Sequence, residues 1–273
     1  MFITDKLTYI QLQKTGCTHI AHLLKRLYGG EQVGKHNAPA SAEIDSGMFY
    51  LASVRNPWDW YLSLWTFGVQ GHGDLRGRLT GRKTGYYLRQ LKESPLSAYK
   101  GLLLEFRKDR KAWNKAYADG SDPEAFRTWL KLILDPVNAK FLGEGYGESD
   151  ISKYCGFMTY RYLYLCCKDH EKLTKLGFSD FESVKSFDKK NCYINSVIRQ
   201  ENLESDLIDI LQERFSLNNE QKNIIINAKK TNTSKRSLKL SDYYDKETVD
   251  LVAKKESLIN KKFGYSSKLV FGM

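Results

Sequence analysis

No stretch of the 273-residue chain approaches the roughly 20 consecutive apolar residues of a membrane-spanning helix, so stable membrane insertion is not expected. The first residues carry no apolar run of a secretory signal, because Asp5 and Lys6 interrupt it. Cysteine is scarce: five residues, with Cys166 and Cys167 adjacent, give neither a disulfide framework nor zinc-ligand spacing. Together these absences predict a soluble, reduced, cytoplasmic protein without a metal site. Internal repeats, low-complexity runs and a clear linker are also missing, which favours one domain over residues 1–273.

What is present in excess is positive charge. Hydrophobic residues at 41% and charged residues at 27% are ordinary, whereas a net charge of +11 favours anionic partners. Residues 74–115 hold twelve Lys/Arg against four Asp/Glu, a net +8, interleaved with Tyr86, Tyr87, Tyr99 and Trp113. That segment reads as a surface for an anionic or sugar-containing molecule. Nucleic acid is the rival partner, bound through phosphates, and it would leave the loops described next unexplained.

The opening stretch YIQLQKTGCTHIAHLLKRL changes period, from a short strand over residues 8–12 to a helix with Ile20, Leu23, Leu24 and Leu27 on one face. GMFYLASVRNPWDWYLSLW repeats the grammar: a buried strand, Asn56 as helix N-cap and Pro57 at the first helical position. Two strand–loop–helix units predict an α/β fold, a central parallel sheet flanked by helices. Residues 71–185 read as a mainly helical insertion, with AYKGLLLEF, AFRTWLKLIL and FMTYRYLYLCC as its helices. CYINSVIRQENL reads as a later strand, LESDLIDILQERF as a helix, and ETVDLVAKKESLINKKFGY as a terminal helix.

The first turn can hold an anion. Thr15, Gly16, Cys17 and Thr18 offer backbone amides at a helix N-terminus, the threonines add hydroxyls, Lys14 adds a charge, and Gly16 permits close approach. The nucleotide-binding pattern G-x-x-x-x-G-K-[ST] is absent, and the second strand ends in Arg55 rather than a magnesium-binding acid. A P-loop-type nucleotide kinase is therefore the enzymatic alternative, not the first choice. A cysteine phosphatase built on Cys17 needs an arginine about six residues on, where Leu23 stands. The helix end could still acidify the Cys17 thiol.

Arg55 and Ser63, eight residues apart, form a second candidate anion clamp. QKTGCT followed by VRNPWDWYLS resembles the paired signatures of sulfotransferases that use 3′-phosphoadenosine 5′-phosphosulfate, in their bacterial and carbohydrate-type branch. VIRQENLESDL, with Arg199, Glu201, Leu203 and Asp206, is similar to that family's R-x-E-x-L-x-x-D element, and TNTSKRSLKLSDYYDKETVDLV…FGY to its closing segment. The resemblance implies a P-loop NTPase-like sulfotransferase fold, with residues 71–185 as its variable, acceptor-side insertion, and metal-independent transfer of a sulfuryl group to a hydroxyl or amine of a carbohydrate or glycoconjugate. It implies that Lys14, Thr15, Gly16, Cys17, Thr18 and His19 hold the 5′-phosphosulfate. Arg55 and Ser63 would then hold the 3′-phosphate, with Ser234, Lys235 and Arg236 assisting. Lys14 would face the bridging oxygen.

An acceptor hydroxyl needs a base. His36 in VGKHNAPA is the first candidate, beside Lys35, and Glu43 the second. His19 and His22 lack a third ligand in spacing, and His72 and His170 have no supporting context.

Overall fold

A computed structural model describes residues 1–44, 47–229 and 238–271. Five strands form one mixed sheet in the order β3-β1-β2-β4-β5: β1 Phe2–Ile3, β2 Leu7–Ile10, β3 Glu31–Gln32, β4 Phe49–Val54 and β5 Ser196–Arg199. β2, β4 and β5 run parallel, with Leu7 opposite Phe49 and Val54 opposite Arg199. The sheet is not wholly parallel as expected, because β1 pairs antiparallel with both β2 and β3. Two-residue strands carry no periodic signal, and Glu31–Gln32 is exposed, so neither could be seen in the sequence. The first predicted strand is shorter than expected, ending at Ile10 and releasing Gln11 and Leu12 into the loop.

Period-two alternation puts different side chains on the two faces. Leu7, Tyr9, Leu51 and Ile198 meet α1 (Cys17–Tyr28) and the helix Leu203–Phe215 through Ile20, Leu24, Leu207 and Leu211. Ile10, Tyr50, Ala52 and Val54 meet the larger core of α2 (Pro57–Val69), whose Trp58, Trp60 and Trp65 are fully buried. Asn56 caps α2 by accepting from Trp58 N at 3.0 Å, with Pro57 at the first position.

The expected insertion occupies the crossover between β4 and β5 and is helical, including Asp74–Thr80, Pro95–Arg107, Arg110–Ala116, Pro123–Leu134 and Phe157–Cys166. Part of its basic, aromatic surface turns inward. Trp113 is buried against the helices Asp74–Thr80 and Pro123–Leu134, and Lys108 Nζ bonds Glu105 Oε2 and Arg78 O, each at 2.7 Å. Burying a tryptophan gains more than stacking it at the surface, and the lysine charge is acceptable inside because it is paired. Tyr86 and Tyr99 do remain exposed. The single terminal helix is two, Lys246–Lys255 and Ser257–Phe263, interrupted at Glu256. Among the described residues no helix is long and apolar enough to cross a membrane.

Candidate functional site

The two loops predicted to hold anions leave the C-terminal ends of β2 and β4, adjacent parallel strands, and meet there. Arg55 Nη1 donates to Lys14 O at 3.0 Å, while its Nε donates to Asp59 Oδ2 at 2.7 Å. Lys14 and Gly16 both adopt positive φ, 65° and 75°. A Cβ on Gly16 would also stand 3.0 Å from Leu203 Cδ1, so glycine serves both the backbone and the packing.

α1 starts at Cys17 with no side chain capping its first turn and no acidic residue there. A helix start without a side-chain cap, with the helix dipole behind it, is a favourable place for an anion. Thr15 does not offer its hydroxyl to the same place. That group is fully buried, donating to Leu12 O at 2.7 Å and bonded to Ser53 Oγ at 2.7 Å, with Tyr9 OH on Ser53 in turn. Thr18 Oγ1 accepts from Lys35 Nζ at 3.1 Å, which brings a second lysine to the loop. Cys17 is not acidified by the helix end; burial, its largest influence, pushes the thiol up.

The R-x-E-x-L-x-x-D residues hold this junction together. Arg199 and Asp206 pair through Nε–Oδ2 and Nη2–Oδ1, each 3.0 Å. Glu201 Oε1 accepts from Asn56 N at 2.6 Å and its Oε2 from Tyr265 OH at 2.9 Å. Leu203 closes on Gly16 as above. One short element thus ties the second loop and the chain's closing segment to the first loop.

Ser63 is buried on α2, on the face shared by Asp59 and Phe67 at i±4. Phe67 carries the Lys14 ammonium 3.9 Å above its ring centroid and packs on the His72 ring at 5.2 Å. His72 therefore stands near the loop, which nothing around it in the sequence suggested. His19 is buried and His22 exposed on α1. Glu43 is exposed, its Oε2 accepting from Ala40 N at 3.1 Å in a short turn. Ser234, Lys235 and Arg236 lie outside the described residues. Among the described residues no group of three His, Cys, Asp or Glu has the arrangement of a metal site.

His36 lies beside the first loop. Its Nδ1 is 2.8 Å from Gln11 O, and a carbonyl only accepts, so Nδ1 carries the proton and the Nε2 lone pair is left unprotonated. Burial lowers its pKa below 6.5, despite that hydrogen bond, and the charges of Lys35 and Arg161 add to the lowering. The imidazole is neutral at pH 7. Arg161 was missed in the sequence; the signal was a lone charge in the apolar run FMTYRYLYLCC. It lies in the buried helix Phe157–Cys166, its guanidinium 5.8 Å from the ring of Trp60, whose Nε1 donates to Gln13 O at 2.7 Å. Comparison with protein-family models, curated proteins and solved structures finds no match.

Proposed function

We propose that the chain is a sulfotransferase, moving the sulfuryl group of 3′-phosphoadenosine 5′-phosphosulfate to a hydroxyl or amine of a carbohydrate-type acceptor on a P-loop-like sulfotransferase fold. The observation that carries this is the junction of an uncapped helix N-terminus bearing Lys14 with Arg55, bonded across adjacent parallel strands. A donor with phosphate at both its 5′ and 3′ ends needs two such cationic loops side by side.

The residues fit the donor in kind. The leading amides of α1, Lys14 Nζ and Thr18 Oγ1 can receive the 5′ end, and Arg55 retains N–H groups beyond those given to Asp59 and Lys14 O. Bound there, the donor supplies an electrophilic sulfur on a phosphate leaving group. Lys14 and the amides stabilise the charge that develops on the bridging oxygen as its bond to sulfur breaks. His36 Nε2 takes the acceptor's proton as the new oxygen–sulfur bond forms.

Calorimetry with adenosine 3′,5′-bisphosphate in EDTA tests the donor site. Micromolar binding is expected, and tight magnesium–ATP binding with no response to the bisphosphate would reverse the assignment to a kinase. Arg55→Ala is expected to weaken bisphosphate binding by at least about tenfold, or about 1.4 kcal/mol. It removes a cation from the ligand and also releases Lys14 O and Asp59. For His36, the rate should fall as pH drops through its lowered pKa, because only the neutral ring accepts a proton. His36→Ala should be slow and lose that acid limb; an unchanged rate and profile removes His36 as the base.

A further inference from the structure

Glu144 lies between Gly143 and Gly145, and all three take positive φ, 74°, 62° and 82°. Glycine adopts this region readily, whereas a glutamate is held there only against backbone strain. The turn delivers the Glu144 carboxylate to two arginines from separate parts of the crossover. Arg161 donates from Nε to Oε2 at 2.9 Å and from Nη2 to Oε1 at 2.7 Å, and Arg78 Nη2 donates to Oε1 at 2.8 Å.

Two cations therefore share one anion, with little water around them. The Arg161 side chain is 7% exposed and that of Arg78 19%, whereas Glu144 is 30% exposed and forms the open side of the cluster. Hydrogen bonding is short in the same sense as charge. Arg161 Nη1 and Arg78 Nε are buried with no acceptor among the described residues. The Arg161 guanidinium is backed by the Phe157 ring at 4.2 Å. A buried donor without a partner is destabilising, and more so when it is charged. One further oxyanion would answer both deficits.

We propose that Arg78 and Arg161 form an oxyanion subsite, and that its ligand is an acidic group, carboxylate or sulfate ester, on the acceptor. The assignment to the acceptor rests on the sulfotransferase reading; the anion site does not. The Arg161 guanidinium stands 5.8 Å from the Trp60 ring, and Trp60 Nε1 donates to Gln13 O at 2.7 Å, which sets this subsite beside the first loop, whose Gln11 O also holds the proposed base His36. The two donors are shut from water as the side chains stand. Binding therefore requires side chains to turn, a change common at recognition surfaces. Arginine suits this role because its planar fork meets a carboxylate or sulfate through paired hydrogen bonds.

The test follows the arginine Nε–H signals of isotope-labelled full chain by NMR, titrated with sodium glucuronate and with sodium sulfate against chloride at equal ionic strength. Saturable shifts of the Arg78 and Arg161 signals are expected, and the tighter of the two anions identifies the acidic group. Glu144→Gln removes the competing carboxylate and should tighten binding by about tenfold, within the range of one charge-assisted hydrogen bond. Arg78→Gln should abolish the Arg161 shift. No response beyond that to chloride, or a response unchanged in Arg78→Gln, overturns the subsite. Adenosine 3′,5′-bisphosphate should leave the anion shifts in place; displacement by it would assign the pair to the donor and overturn the proposal. Anion shifts in a protein that does not bind the bisphosphate would instead remove the sulfotransferase reading and leave the oxyanion site standing.

Discussion

Lys14→Ala is expected to lower sulfuryl transfer by about 10²–10³-fold, the usual effect of deleting one donor aimed at developing negative charge. The change should fall mainly on kcat. Alanine and lysine are both L residues with a Cβ, so the left-handed backbone at position 14 (φ 65°) is no more strained in the variant. The loop also keeps its anchors, since Arg55 binds Lys14 through its carbonyl and Trp60 binds Gln13 through its carbonyl. What disappears is the ammonium with its contacts, among them the Phe67 ring 3.9 Å away at a half-buried site, worth between about 0.5 and 2 kcal/mol. Lys14→Arg is not a rescue, because a planar fork replaces a point charge where the backbone turns tightly. Single-turnover rates on saturating donor make the measurement. Wild-type-like turnover in Lys14→Ala would sink both the role of the lysine and the function built on it.

The parts of this site legible in the sequence are those written in local period and turn chemistry. The switch from alternating strand to helix across Gln13–Gly16 located the first loop, and Asn56–Pro57 located the start of α2. Both are decided within a few residues by capping and by glycine's freedom. What could not be read depends on residues far apart in the chain. Thr15 looked like a ligand donor, but its direction is set by Ser53 on the neighbouring strand, 38 positions away. Lys35 reaches Thr18 from outside the loop. Arg161 joins the site only because a helix at the far end of the crossover packs on Trp60. The antiparallel pairings of β1 with β2 and β3 make the sheet mixed, and β1 and β3 are two-residue strands, too short for any pattern. The R-x-E-x-L-x-x-D element was recognised as a string, but its work appears only when Glu201 is seen bonding Asn56 and Tyr265.

The second large effect concerns Glu256, fully buried where the two terminal helices break. Its carboxyl accepts from Thr159 Oγ1 at 2.6 Å, Thr159 N at 2.9 Å, Met158 N at 3.3 Å and the Tyr61 hydroxyl. It therefore joins α2 to the helix that carries Arg161, one turn before that arginine. A Cβ on Gly156 would lie 2.0 Å from Glu256 Oε1, so this position must be glycine. Glu256→Ala strands several buried donors and opens a void, and a loss of about 3–5 kcal/mol in unfolding free energy is expected. The pH dependence is unusual for a carboxylate. Burial, partly opposed by the Thr159 and Tyr61 hydrogen bonds, raises its pKa from 4.5 to about 7. A folded pKa above the unfolded one means the native state binds the proton more tightly. The associated stability is complete below pH 4.5 and is lost as pH rises through 7, up to about 3 kcal/mol. Glu256→Gln isolates this contribution, since glutamine stays neutral throughout. The difference in unfolding free energy, Gln variant minus wild type, should rise between pH 5 and pH 8. A flat or falling difference would mean that the four donors hold Glu256 ionised in the native state, and that burial does not govern its charge.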